Sequence, residues 1–250
     1  AVAQRLGYRP DPMLSSLAAY RQSKQPVEIR STVAWLNQWG NPRDLRRFQE
    51  FDAYWRGASA YAERLGYQLE EFAVSSDISA RRLQKILVVR NVRGILIPPH
   101  THGLELPDFD WSHFSVVRLG SSVQFPHVHI VTSDQFKAAA MAFGRAWERG
   151  YRRIGYVTSP RFDRNTGGNF RAGYFSAQDA LLPLRRHLAP LALSGDNVSA
   201  DVRQLKRWLR TFKPDALVSA QGNLHRLLDK AGVRVPEELG VAALSLLDGH

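Results

Sequence analysis

The sequence predicts an α/β protein built from two parallel sheets, each flanked by helices. Three observations carry this. β-type runs alternate with helix-period runs from Pro26 onward, which is the pattern of right-handed βαβ crossovers. The alternation yields some ten or eleven such elements, too many for one small sheet. A natural break falls near Val131–Asp134, about midway along the 250 residues.

The elements follow in order. Val27–Leu36 reads as a strand of mixed patterning. Asp44 to Leu65 reads as one long helix carrying Leu45, Phe48, Phe51, Tyr54, Trp55, Ala58, Tyr61, Ala62 and Leu65, ended by Gly66. Tyr67–Val74 is a strand, and Ser79–Val89 a helix with Leu83, Ile86 and Leu87 on one face. Gly94–Ile97 is a short buried strand stopped by Pro98-Pro99. Phe114–Leu119 and Val128–Val131 are two further strands. Asp134–Glu148 is a helix closed by Gly150, and Ile154–Val157 is the strand after it. Asn169–Leu182, Val202–Phe212 and Asn223–Ala231 read as helices, with Ala216–Ser219 and Val241–Leu246 as strands.

Residues 1–25 differ from the rest. Arg5-Leu6-Gly7-Tyr8 reads as a helix end, with Gly7 as its left-handed cap. Asp11 and Pro12 then suit the start of a new helix, and Met13, Leu14, Leu17 and Ala18 recur at helical spacing up to Tyr20. Two turns are marginal alone in water, so this helix needs a partner. The domain expectation is therefore 1–25, 26–132 and 133–250.

Composition sets outer limits. Hydrophobic residues are 44% and charged residues 23%, an ordinary globular balance that excludes wholesale disorder. Cysteine is absent, which excludes disulfides, thiolate metal sites and cysteine nucleophiles and fits a cytoplasmic location. No apolar run approaches the ~18 residues of a membrane span, so no membrane partner is expected. The net charge of +11 is spread out: +6 over residues 1–100, −1 over 101–150 and +6 over 151–250. Such a balance attracts polyanions, nucleic acid above all, but it also describes a plain basic surface.

The search for catalytic sets is negative. No G-x-G-x-x-G follows a strand, and there is no P-loop, G-x-S-x-G or H-E-x-x-H. His127 and His129 alternate on a strand and His100 and His102 follow another, with no carboxylate placed among them. A structural or solvated role is their plainer reading, and neither metal nor cofactor is expected. Gly167-Gly168 is too short for a phosphate loop and reads as a flexible turn. The expectation is a non-enzyme.

Three motifs point to a family. Val2-Ala3-Gln4-Arg5-Leu6-Gly7-Tyr8-Arg9-Pro10-Asp11-Pro12, with Leu14 and Leu17-Ala18, resembles the hinge region of the lactose/galactose repressor (LacI/GalR) family. Val131-Thr132-Ser133-Asp134, Ala138 to Ala142 and Arg149-Gly150-Tyr151-Arg152-Arg153-Ile154-Gly155 are similar to a second motif of that family. Lys230-Ala231-Gly232-Val233-Arg234-Val235-Pro236-Glu237-Glu238-Leu239-Gly240-Val241 is similar to a third. The resemblance implies two Rossmann-like subdomains of the periplasmic-binding-protein-like type I fold, preceded by a hinge. It implies a cytoplasmic, homodimeric transcriptional repressor that binds operator DNA and responds to a carbohydrate-like effector held in a cleft between the subdomains. The dimer face would be the exposed side of Ser79–Val89 and the region of Leu96–Pro98. The hinge residues would be Tyr8, Pro10, Asp11, Leu14, Ser15, Ser16 and Leu17, with Leu17 wedging between base steps in the minor groove. The family's helix-turn-helix domain precedes this motif, and its core continues past Asp248. The expectation is thus a piece of a longer chain.

The sequence departs from the family where effector contacts are expected. Phe170 stands where the family has arginine three residues before glycine, and Arg171 follows it. Gln221-Gly222 replaces an Asn-Asp pair, and Leu247 replaces the first acid of an Asp-Asp pair. In open α/β sheets ligands bind beyond the carboxyl ends of strands. That rule selects Asn37, Trp39, Asp77, His100, Ser121, Asp134, Arg161, Asn169, Phe170, Arg171 and Gln221 as effector contacts. Trp39 and Phe170 are candidate stacking rings, although a tryptophan after a strand is as often packing. Arg161, Arg164 and Arg171 crowd a loop; facing the cleft they would favour a uronate or phosphorylated sugar, and facing solvent they only raise the pI. The alternative function is a solute-binding protein of a carbohydrate transport system. The hinge motif argues against it.

Overall fold

The computed structural model describes residues 31–39, 41–74, 78–100 and 106–245. The hinge residues Tyr8 to Leu17, Asp77, and the Leu247-Asp248 pair lie outside them. By packing, the described residues form two compact units, 31–98 with 106–116, and 99–100 with 117–245. This division falls inside a strand, earlier than the 132/133 boundary expected from the sequence.

The first sheet comprises β1 (Ser31–Asn37), β2 (Tyr67–Ala73), β3 (Gly94–Ile97), β4 (Ser115–Leu119) and β5 (His129–Val131). Their order is β2-β1-β3-β4-β5, and the β1–β2, β1–β3 and β4–β5 pairs are parallel. Val33 of β1 sits between Leu69 of β2 and Gly94 of β3. Helices α1 (Gln49–Arg64) and α2 (Ala80–Val89) provide crossovers. The long helix expected from Asp44 to Leu65 is interrupted. A 3-10 helix covers Pro42–Arg47, capped by Asn41, whose side chain accepts the Arg43 N–H at 3.1 Å. Phe48 is then extended at φ −91°, ψ 116°, and α1 starts after it. Helical periodicity runs through the break because Leu45 and Phe51 both pack inward or partly inward. Trp35 is buried and meets Trp55 edge-on at 5.3 Å, which fixes α1 to the sheet.

The second sheet comprises β6 (Ile154–Thr158), β7 (Leu191–Ala192), β8 (Ala216–Ser219) and β9 (Gly240–Ala243) in the order β7-β6-β8-β9, parallel throughout. Around it lie α3 (Gln135–Glu148), α4 (Pro160–Asn165), α5 (Asn169–Leu181), α6 (Val198–Phe212) and α7 (Leu224–Ala231). Strand alternation sorts its side chains onto two faces. Ile154, Tyr156, Ala216 and Val218 join Ala139, Phe143, Phe170 and Tyr174 of α3 and α5 in one core. Val157 and Leu217 join Leu205, Trp208, Leu224, Leu227 and Leu228 of α6 and α7 in the other. The sheet is thus covered on both sides, as a parallel sheet requires.

Four sequence expectations need correction. Pro160–Asn165 is a helix, so Arg161 and Arg164 lie on it rather than on a loop; Ser159 caps it and Pro160 occupies its first turn. The two-residue strand β7 was not foreseen, being too short to show a period. Helix α6 begins at Val198 rather than Val202, because Asn197 caps it through the Ala200 N–H at 3.0 Å. Strand β9 ends at Ala243, short of Leu246. Among the described residues no helix is long and apolar enough to cross a membrane.

Candidate functional site

Each sheet reverses its strand order at one point, β1/β3 in the first and β6/β8 in the second. In open parallel sheets the loops diverge there, leaving a crevice at the carboxyl ends of those strands. The residues that follow β1, β3, β6 and β8 are therefore the ones positioned to meet a ligand.

At the end of β1, Asn37 is fully buried and its side chain is committed. Its Nδ2 donates to Pro42 O at 3.0 Å and to Glu71 Oε1 at 2.8 Å, and its Oδ1 accepts the Trp39 N–H at 2.9 Å. Glu71 in turn pairs with Arg46 at 2.9 Å, whose guanidinium lies 4.4 Å above the Trp55 ring. Asn37 therefore shapes the loop that carries Trp39. The Trp39 indole leans on Phe48 at 5.5 Å and Phe51 at 6.2 Å, an aromatic patch in which Phe48 remains 45% exposed.

After β3 the chain reaches His100, which is 3% exposed. Its backbone N–H donates to Ser122 Oγ at 3.2 Å, beside half-buried Ser121. Burial strips water from the His100 ring and pushes its pKa down to about 4, so the imidazole is neutral near pH 7.

The end of β6 is the richest place. Thr158 Oγ1 donates to Asp163 Oδ1 at 2.9 Å, and Asp163 Oδ2 faces Arg171 Nη1 at 3.6 Å. The Asp163 side chain is 12% exposed and that of Arg171 52%, so the guanidinium reaches solvent from a mostly covered carboxylate. Two consecutive left-handed glycines, Gly167 (φ 60°) and Gly168 (φ 71°), turn the chain from α4 into α5. That turn brings Phe170 onto Phe162, with centroids 5.6 Å apart and planes at 24°. Phe170 is buried in the core. Asn169 opens α5 and its Nδ2 lies 3.5 Å from Gln135 Oε1. Next to Gln135, Asp134 caps α3: its Oδ1 accepts the Lys137 N–H at 3.0 Å and its Oδ2 lies 3.2 Å from Lys137 Nζ. The bond from the Lys137 N–H, more than the charge, holds the Asp134 carboxyl below its usual range.

Beneath this edge Tyr156 stacks on Tyr174 at 5.3 Å, and burial pushes its hydroxyl up to about 12. At the end of neighbouring β8, Ser219 Oγ donates to Val157 O at 2.8 Å and accepts the Gln221 N–H at 3.0 Å. This fixes the start of the Gln221 loop.

Of the residues expected from the sequence, the structure brings Asn169 to the Asp134–Gln135 corner and Arg171 to Asp163 beside Phe170. Gln221 stands in the loop after β8, the strand next to β6. Arg161 is exposed on α4. Sequence reasoning missed Asp163, Thr158 and Gln135. It counted the arginines of 161–171 and passed over the carboxylate among them. The signal was present in Ser159-Pro160, a helix start that places Asp163 one turn in, back over the strand end. Among the described residues no group of three or more His, Cys, Asp or Glu is placed to hold a metal ion.

Each of the two sheets is an open α/β sheet, and in the second one polar groups gather at the strand-order reversal, the place where such sheets accept ligands. Residues 143–247 match the family model of the periplasmic binding protein-like domain. No curated protein matches the chain. Among solved structures, a complex of the transcriptional regulator CelR with cellobiose is 22% identical, with a TM-score of 0.60 over 94% of this chain and 74% of that one. A LacI transcriptional regulator from Lactobacillus brevis is 16% identical, with a TM-score of 0.62 over 88% and 83%. The transcription regulator CcpA of Lactococcus lactis is 18% identical, with a TM-score of 0.57 over 84% and 77%. The similarity to the periplasmic binding protein-like domain is confined to that segment, residues 143–247. The fold of the chain is the one these LacI-family regulators share.

Proposed function

We propose that the protein is a DNA-binding transcriptional regulator, acting as a repressor, whose core binds a carbohydrate-like effector. The observation that carries the reading is the polar edge at the β6/β8 reversal. There Arg171 offers donors to solvent from the Asp163 carboxylate, with Asn169 at the start of α5 and Gln221 in the loop after β8. An ion pair at a strand end presents acceptor and donor side by side, which suits a ligand carrying neighbouring hydroxyls. Arg171 is partly neutralised by Asp163, so this edge favours a neutral sugar over a sugar acid. Asp134, Ser121, His100 and Trp39 are assigned supporting contacts, Trp39 as an apolar surface for a sugar ring. Phe170 is assigned to packing.

The regulatory part of the proposal rests on the hinge motif at 1–25 and on the fold shared with LacI-family regulators. Two copies of the hinge would pair on operator DNA, with Leu17 as the wedge, and effector binding would change operator affinity through linkage. Calorimetric titration of neutral sugars and sugar acids into the full-length protein tests the effector part. The expected result is heat from a neutral sugar that disappears in Arg171→Ala; binding unchanged in Arg171→Ala overturns the assignment. Operator binding by Leu17→Ala tests the hinge: specific affinity and bending are expected to fall, and unaltered values remove the wedge.

A further inference from the structure

Helix α6 carries Arg203, Lys206, Arg207 and Arg210 at i, i+3, i+4 and i+7. At 3.6 residues per turn these fall within about 100° of arc on one side of the helix. The opposite side is spent: Asp201, Leu205 and Trp208 are buried, Trp208 Nε1 donates to Ala189 O at 3.2 Å, and Gln204 Nε2 to Ala192 O at 3.0 Å. All four cations are exposed, and none forms an ion pair with a described residue. The helix's one carboxylate, Asp201, faces inward and accepts from the N–H groups of Ser194 and Gly195 at 3.1 and 3.0 Å. Asp215, beyond its end, is occupied by the N–H groups of Arg152 and Arg153 at 2.7 and 2.9 Å. Exposed Lys213 caps the helix in the left-handed region, and the Arg153 guanidinium donates to the carbonyls of Phe212 and Lys213. The cationic face therefore continues past the last turn. Like charges at i, i+4 destabilise a helix, and here no acid on the same face offsets them.

We propose that this face of α6 binds the phosphate backbone of duplex DNA without sequence preference. The chemistry of the face selects the partner. No apolar or aromatic residue stands among the four cations, so it lacks the buried anchors of a protein–protein contact, and isolated surface ion pairs add little. Against a duplex the same cations release condensed counterions, which suffices for binding. The missing aromatic ring removes the stacking platform that single strands use. The apolar side of α6 is buried in the core, so it is not available to enter a membrane surface.

The test uses the 250-residue chain, a fluorescent random-sequence DNA duplex and no effector, so it is independent of the operator and effector readings. Anisotropy titrations over a salt series compare the wild type with Arg203→Ala/Lys206→Ala/Arg207→Ala/Arg210→Ala. Alanine favours the helix and circular dichroism checks that the fold is kept. The expected result is a fall of about 3 to 4 in the slope of log K against log salt, with at least ~10-fold weaker binding at low salt. Replacing the three arginines by lysine is expected to retain most of the slope. A control removes four cations already held in surface ion pairs, Arg47, Arg56, Arg145 and Arg234, and is expected to change the slope little. The proposal is overturned if the wild type ignores the duplex, if the α6 variant keeps its slope, or if the control loses as much. It is also overturned if polyglutamate or single-stranded DNA binds the face more tightly than the duplex.

Discussion

Gly173 of α5 lies directly against the backbone carbonyl of Phe136 in α3, with no room for a Cβ between them. The two helices meet along this contact, with small buried Ala139 and Ala177 in the same core and Phe143 of α3 packed edge-on against Tyr174 of α5 at 5.7 Å. The close approach seats Tyr174, whose hydroxyl donates to Leu188 O at 2.9 Å and lies 3.2 Å from Ile154 O. The glycine of the sequence Arg171-Ala172-Gly173-Tyr174 thus sets how near α5 comes to α3.

Gly173→Ala is expected to push α5 away from α3 and to cost about 1–3 kcal/mol or more, because the obstacle is backbone and not a flexible side chain. Urea unfolding of the variant checks it. A loss below ~0.5 kcal/mol shows that the helices separate freely.

Asn37→Ala removes three hydrogen bonds at a site closed to water, leaving the Trp39 N–H and a Glu71 oxygen without that partner. A loss of about 2–3 kcal/mol is expected from the stranded groups. An effector titration on the same variant is expected to lose affinity only in proportion to the disorder of the Trp39 loop. A variant with unchanged stability and abolished ligand binding shows instead that Asn37 touches ligand directly.

His100 gives the protein a pH dependence. Its folded pKa of about 4 lies below the ordinary 6.5, so between these values the unfolded chain binds the proton and the folded one does not. Stability from this residue is complete above pH ~6.5 and falls as the pH drops towards 4, by about 2 kcal/mol between pH 7 and pH 5. Urea unfolding at the two pH values measures it, and His100→Gln is expected to lose that portion of the difference. Equal losses in wild type and variant assign the dependence elsewhere.

Arg171→Ala is expected to change stability by less than about 1 kcal/mol, because its partner pair reaches solvent. Asp163→Ala is expected to cost more, about 1–3 kcal/mol, because the covered carboxylate also holds Thr158 Oγ1. Thermal unfolding of the two variants ranks them. The reverse order shows that Arg171, and not Asp163, braces the strand end.

The reading of the strands was largely available from the residues. Gly94–Ile97 and Ala216–Ser219 have the bounds expected, because each is a short apolar run closed by a proline pair or a polar turn. The long helix expected from Asp44 was not one helix, since periodicity records which side chains face inward and is blind to the extended backbone at Phe48. The candidate site was legible by position, through strand ends, and much less by role. Asn37 was selected as a ligand contact, and its side chain is engaged with Pro42, Glu71 and Trp39. Phe170 was selected as a stacking ring, and it packs on Phe162 within the core.

Local chemistry determined what the sequence alone could give: the alternation of periods, the helix starts at Ser79 and Asp134, and the strand ends where loops must open. Those depend on residues within a turn or two of each other. Tertiary structure decided the strand orders and, with them, the places where crevices form. It also decided the pairing of Arg171 with Asp163, which depends on two left-handed glycines folding α5 back over α4. The same is true of α6, whose one acid turns inward to the Ser194–Gly195 backbone and leaves the outer face to four cations. Side-chain partners distant in sequence are chosen by packing, and packing is fixed only when the whole sheet has formed.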